Sequence, residues 1–216
     1  MSIVKASLCL LALLTWVSAS QSACPTSHVR VFGSDTYPTT PTFDHPYAKY
    51  DLPAGTIHAH VYAFIYSSEY TLVEANDEYW LEGPASNDPI SFSAILHVTG
   101  TAGSNELKTP NYCTGSGISG GLQSGAAGEY VADGAAFCHD RVIDLTATLP
   151  LQKNSGEVFP LTVSARANAN SDEAIINGVL TFSVPAGYTV RSCHGFLSSP
   201  TPALNRSWGN LKAAYR

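Results

Sequence analysis

The chain has 216 residues, a formal net charge of −6 and five cysteines. Its few Lys and Arg residues are scattered, so it lacks the basic clusters that a nucleic-acid partner requires. Beyond the N-terminal leader, no segment is apolar enough to span a bilayer as a helix.

Residues 1–19 read as a secretory signal, extending at most to 23. Lys5 supplies the positive start, Ala6 to Val17 the apolar run, and Val17-Ser18-Ala19 the small residues of a cleavage site. Cys9 leaves with that segment. Cys24, Cys113, Cys138 and Cys193 remain, and an even count in an exported chain predicts two disulfides. Of the three possible pairings we expect Cys113–Cys138, closing a glycine-rich loop, and Cys24–Cys193, tying the first strand to the last. Gln21-Ser22-Ala23-Cys24 also partly resembles a bacterial lipobox with Gln in place of Leu, which leaves lipidation of Cys24 as the alternative.

His28 to Phe32 predicts a short first strand. Tyr37 to Tyr50 is rich in Pro and Thr without periodicity and reads as loop or extended edge. A turn at Pro53-Ala54-Gly55 leads into a strand over Thr56 to Tyr66. Two strands, Glu69 to Ala75 and Glu78 to Glu82, are expected around a polar turn at Asn76-Asp77. Ile90 to Thr99 alternates cleanly. Gly100 to Phe137 is dominated by Gly, Ser and Ala and reads as a pinned surface loop or weak hairpin. Arg141 to Leu149 resumes as a strand.

The strongest pattern is Glu157 to Phe196. Phe159, Leu161, Val163, Ala165, Ala167 and Ala169 share one parity; Thr162, Ser164, Arg166, Asn168 and Asn170 share the other. Ile176, Gly178, Leu180, Phe182 and Val184 repeat the pattern after a turn at Asn170-Ser171-Asp172. Period two with one apolar face means half-buried strands, which need a second layer. The predicted fold is therefore all-β: an antiparallel two-sheet sandwich, jelly-roll-like, of eight or nine strands over residues 24–196. Residues 197–207 read as a Ser/Pro linker. Residues 208–216 form a short C-terminal tail in which Trp208, Leu211 and Tyr215 can share one face, as a sorting or docking element.

The run FPLTVSARANANSDEAIINGVLTFSVPAGYTVRSCHGF, with the earlier SFSAILHVTGTAGSN, resembles the β-sandwich domain of bacterial exported proteins of the PEP-CTERM class. The ending differs: there is no Pro-Glu-Pro and no following membrane helix, and SWGNLKAAYR resembles instead the Trp-Gly-x-Leu/Ile-Lys tails of other exported proteins. The resemblance implies an exported surface protein and no catalytic residues.

Three constellations carry candidate chemistry. His58 and His60 project from one face of a strand, the arrangement that lets two imidazoles reach one transition metal. Tyr62, Phe64 and Tyr66 continue that face, and with Trp80 they make a candidate platform for stacking sugar rings or a protein partner. Glu74, Asn76, Asp77 and Glu78 offer oxygen ligands for Ca²⁺. There is no Gly-x-Ser-x-Gly nucleophile element. The sequence thus points to a secreted, non-enzymatic surface or matrix protein with structural, adhesive or interaction duties and no resident cofactor. Its expected partners are surface polysaccharide or other exported proteins. A carbohydrate-binding module and a His58/His60 metal site are the alternatives.

Overall fold

The computed structural model describes residues 27–31, 34–36, 42–64, 67–103, 115–135 and 139–198. They form thirteen strands, all paired antiparallel, and no helix among the described residues. In chain order the strands are β1 (His28–Val31), β2 (Ser34–Thr36), β3 (Thr42–His45), β4 (Ala48–Asp51), β5 (Thr56–Tyr62), β6 (Ser68–Glu82) and β7 (Ile90–Ala102). They continue as β8 (Gly115–Ser124), β9 (Ala127–Ala135), β10 (Arg141–Lys153), β11 (Val158–Asn170), β12 (Glu173–Ser183) and β13 (Thr189–Ser192).

Two sheets result. The β6 sheet runs β2-β1-β6-β11-β8-β9, with β13 also on β6; the β7 sheet runs β10-β7-β12-β5-β4-β3. The eight long strands pair in a nested way: β5 with β12, β6 with β11, β7 with β10 and β8 with β9. This is one long antiparallel hairpin, its apex between β8 and β9, rolled so that successive pairs alternate between sheets. That is the jelly-roll arrangement, and the expected all-β sandwich is the observed fold.

The alternation read in β11 holds: Phe159, Leu161, Val163, Ala165, Ala167 and Ala169 all point into the core. Its neighbour in sequence, β12, belongs to the opposite sheet, so the turn at Ser171–Asp172 crosses between layers. Each of these strands therefore supplies part of the other's cover. The core tapers. At one end Tyr79, Phe92, Phe159, Phe182 and Phe196 pack with ring centroids 5.5–6.4 Å apart. At the other, Ala102, Ala169 and Ala174 bring the sheets close, and Asp172 is buried with Glu173 N–H on Oδ1 at 2.8 Å.

Three regions test the expected strand boundaries. Residues 68–82 are one continuous strand, with no turn at Asn76-Asp77, because Asp77 finds partners on the core side. Of the surface loop or weak hairpin expected over residues 100–137, the hairpin is what forms: β8 and β9 pair, and β8 lies inside the β6 sheet beside β11. Its glycines are a packing requirement: a Cβ on Gly120 would stand 2.5 Å from Val98 Cγ2 and 3.2 Å from Leu96 Cδ2 of the facing sheet. Within the Pro/Thr-rich stretch the extended-edge alternative holds: β3 and β4 extend the β7 sheet as an edge hairpin.

Candidate functional site

The histidine-bearing strand β5 lies inside the β7 sheet, between β12 and β4. Its alternation buries Ile57, Ala59 and Val61 and turns His58, His60 and Tyr62 outward, as period two requires. Each imidazole then takes a different partner. His58 Nδ1–H donates to Asn177 Oδ1 at 2.8 Å, and His60 Nε2–H donates to Glu173 Oε1 at 2.7 Å. The Tyr47 ring leans on His60 at 5.4 Å between centroids. On the same outer face, His97 of β7 donates through Nε2–H to Asp144 of β10 at 2.7 Å. Among the described residues no group of three His, Cys, Asp or Glu is placed to hold a metal ion. His58 and His60 share a face as expected, but Glu173 takes His60 and Asn177 takes His58, and among the described residues they belong to no metal-holding group of three.

The expected aromatic platform is divided. Tyr62 meets Phe64 edge-on at 5.3 Å, and Phe64 is 72 % exposed. Tyr66 lies outside the described residues. Trp80 is on β6, in the other sheet, so it cannot extend the surface begun by Tyr62. The adjacent Tyr79 is a core residue; burial first and the Asp77 carboxylate second push its phenol well above the usual range.

The four expected calcium ligands are likewise separated. On a single strand Glu74, Asn76 and Glu78 face outward and Asp77 inward, so they cannot converge on one ion. Glu74 pairs with Arg30 at 3.6 Å, and Asn76 Nδ2 donates to Thr162 Oγ1 at 3.0 Å.

Asp77 has a different place. β1 pairs with residues 73–76 of β6 and β13 with residues 79–82, so the first and last strands lie end to end in one lane. Asp77 sits at the gap. Its Oδ1 accepts from Ser27 Oγ at 2.9 Å, His194 Nδ1 at 2.9 Å and Glu78 N–H at 2.8 Å; Oδ2 takes His194 N–H at 3.4 Å. The carboxylate is 1 % exposed. Ser27 and His194 both bond to Asp77, so the carboxylate clasps the two ends of the domain together. Next to His194, Cys193 is disulfide-bonded. Cys24, Cys113 and Cys138 lie outside the described residues, as do Trp208, Leu211 and Tyr215 of the tail and the leader segment. Past the clasp the chain doubles back, Ser198 N–H donating to Val190 O at 2.9 Å, so the sandwich reaches Ser198, two residues into the expected linker.

Sequence reasoning missed the residues that organise both outer faces. Asn177, Glu173 and Asp144 become partners of histidines only through strand register. Tyr130 and Gly121 meet because they are opposite one another in the β8–β9 pair. Their signal in the sequence was a glycine run followed by an isolated tyrosine, which periodicity does not flag. Neither a scan against protein-family models nor a comparison with curated proteins finds a match to this chain.

Proposed function

We propose that this chain is a non-enzymatic, exported β-sandwich that serves at the cell surface or in the matrix as a structural and adhesive module. The observation that supports this most is the terminal clasp. Entry and exit of the domain share one lane beside β6, held by a buried carboxylate and flanked by a disulfide-bonded cysteine. An arrangement that closes the domain at its ends keeps it folded where no chaperone or reductant protects it, and disulfides persist in such compartments. We assign Cys24 as the partner of Cys193, since Ser27, three residues on, shares a carboxylate oxygen with His194. Cys113–Cys138 is the second bridge, removal of residues 1–19 the export step, and the 208–216 tail the retention element.

The test is localisation with thiol mapping. Cells of the source organism, labelled intact with an antibody against the folded domain, should carry the protein outside. Non-reducing peptide mapping should recover the Cys24–Cys193 and Cys113–Cys138 peptides, and deletion of residues 208–216 should release the protein into the medium. Intracellular protein with Met1 retained and all five thiols free would overturn the reading.

A further inference from the structure

We propose that the outer face of the β6 sheet, centred on Tyr130, binds a neutral polysaccharide chain. This names the partner for the adhesive reading above and rests on it.

Tyr130 on β9 stands opposite Gly121 on β8. Gly121 offers no side chain, and the ring occupies that space: a Cβ built there would be 2.8 Å from Tyr130 Cδ2. The phenol donates through Oη–H to Ser119 Oγ at 2.6 Å. The hydroxyl is thereby anchored and the Cδ2–Cε2 side of the ring lies over Gly121, while the residue remains 60 % exposed. A fixed and largely exposed aromatic suits the apolar face of a pyranose ring, and its ordering cost has been met before the ligand arrives.

Two troughs flank this ring. One, of about 280 Å³, is bordered by Glu74, Gln123, Glu129, Thr162 and Ser164. The other, of about 350 Å³, runs past Ser119, Asp133, Arg166 and Asn168. The second leads to another aromatic. Asn168 pairs with Tyr70 across β11 and β6, and Arg166 lies over the Tyr70 ring at 4.7 Å from its centroid, with Nε–H on Asn168 Oδ1 at 2.7 Å. Tyr70 is 51 % exposed. From Tyr130 to Tyr70 is three strands and four residues, on the order of 20 Å, so the occupant is a chain of several units.

The chemistry selects the class. The floor is paired sheet, so a peptide strand finds few free backbone groups there to hydrogen-bond. Hydroxyls, amides and carboxylates line the troughs, and these exchange hydrogen bonds with sugar hydroxyls. Glu74 and Asp133 are paired with Arg30 and Arg141, at 3.6 and 2.7 Å, so with Glu129 and Arg166 the troughs come close to neutral, which gives a polyanion no excess positive charge to bind. On the β7 sheet a larger trough, about 770 Å³, has serines and prolines but no exposed aromatic, and we do not assign it.

The full chain is run in native gels containing a soluble β-glucan, a mannan or a dextran, with alginate as the acidic control. Retardation by at least one neutral polymer and none by alginate is expected. Tyr130→Leu, which still covers Gly121, should weaken that retardation roughly tenfold with an unchanged melting temperature, whereas Tyr130→Trp should keep it. No retardation by any neutral polymer, equal retardation of wild type and Tyr130→Leu, or retardation by alginate alone would overturn the proposal. Those failures, with the protein still found on the cell surface, would remove this site while leaving the surface role standing.

Discussion

β8 and β11 lie side by side in the β6 sheet, each with a buried inward face, and are built from opposite materials. β11 fills its inward face with Phe159, Leu161 and Val163 before tapering to alanines, while β8 alternates Leu122, Gly120, Ile118 and Ser116. The difference follows from what stands across the gap. Val98 and Leu96 of β7 reach over to Gly120, leaving no room for even one methyl group there. Interior volume is shared between two layers, so a strand facing large side chains must itself be small. A glycine-rich stretch is therefore not loop by composition alone.

Emptying the β11 side should cost the most. Phe159→Ala removes a ring packed against Tyr79 and Phe92, and should lower unfolding free energy by about 3–5 kcal/mol in a denaturant titration. Asp77→Ala, beside the same aromatic end, strips partners from Ser27, His194 and the Glu78 amide at once. It should cost about 3 kcal/mol, with Asp77→Asn recovering part of the loss.

On the β8 side the sign of the volume change reverses. Gly120→Ala should destabilise by about 1–3 kcal/mol through overcrowding. Combining it with Val98→Ala should cost less than the sum of the two single changes, since one change makes the room the other needs. Additivity between those two positions would show that the facing layer does not dictate glycine.

Two pH experiments sharpen the picture at smaller scale. The Tyr79 phenol is raised above its ordinary 10.0 by burial and by Asp77, and burial raises Tyr50 as well. A raised folded pKa means stability that is present below the unfolded value and lost as pH rises past it. Unfolding free energy should therefore fall above about pH 10, by up to about 1.4 kcal/mol per pH unit for each such group, and fall less steeply in Tyr79→Phe. Glu157, at the exposed turn before β11, is held below its ordinary 4.5 by the Asn154 amide first and then by Lys153, at 3.0 Å each. Its contribution is present above that value and lost as pH falls. Glu157→Gln should cost no more than about 0.5 kcal/mol near neutrality, and nothing once both proteins are at acid pH.

Much of this was legible in the chain. Alternation named the inward faces of β11 and β12 correctly, because each is long enough for period two to stand out. It failed at Asn76-Asp77, where a turn-forming pair lies inside a strand; the reason, two partners 50 and 117 residues away, has no local trace. For the same reason His58 and His60 looked like a metal pair. Their geometry along the strand was right, and the neighbours that draw them apart, Asn177 and Glu173, come from β12.

What the amino-acid order determined on its own is which side of each strand is apolar, and hence that two sheets must close on one another. Side chains alternate by backbone geometry, with no help from the rest of the molecule. Only the tertiary structure decided which strands became neighbours, and so which polar residues meet: Asp77 with the two ends of the domain, Tyr130 with Gly121. Those meetings depend on register and on the rolling of the hairpin, and both are set by how two layers share one interior volume.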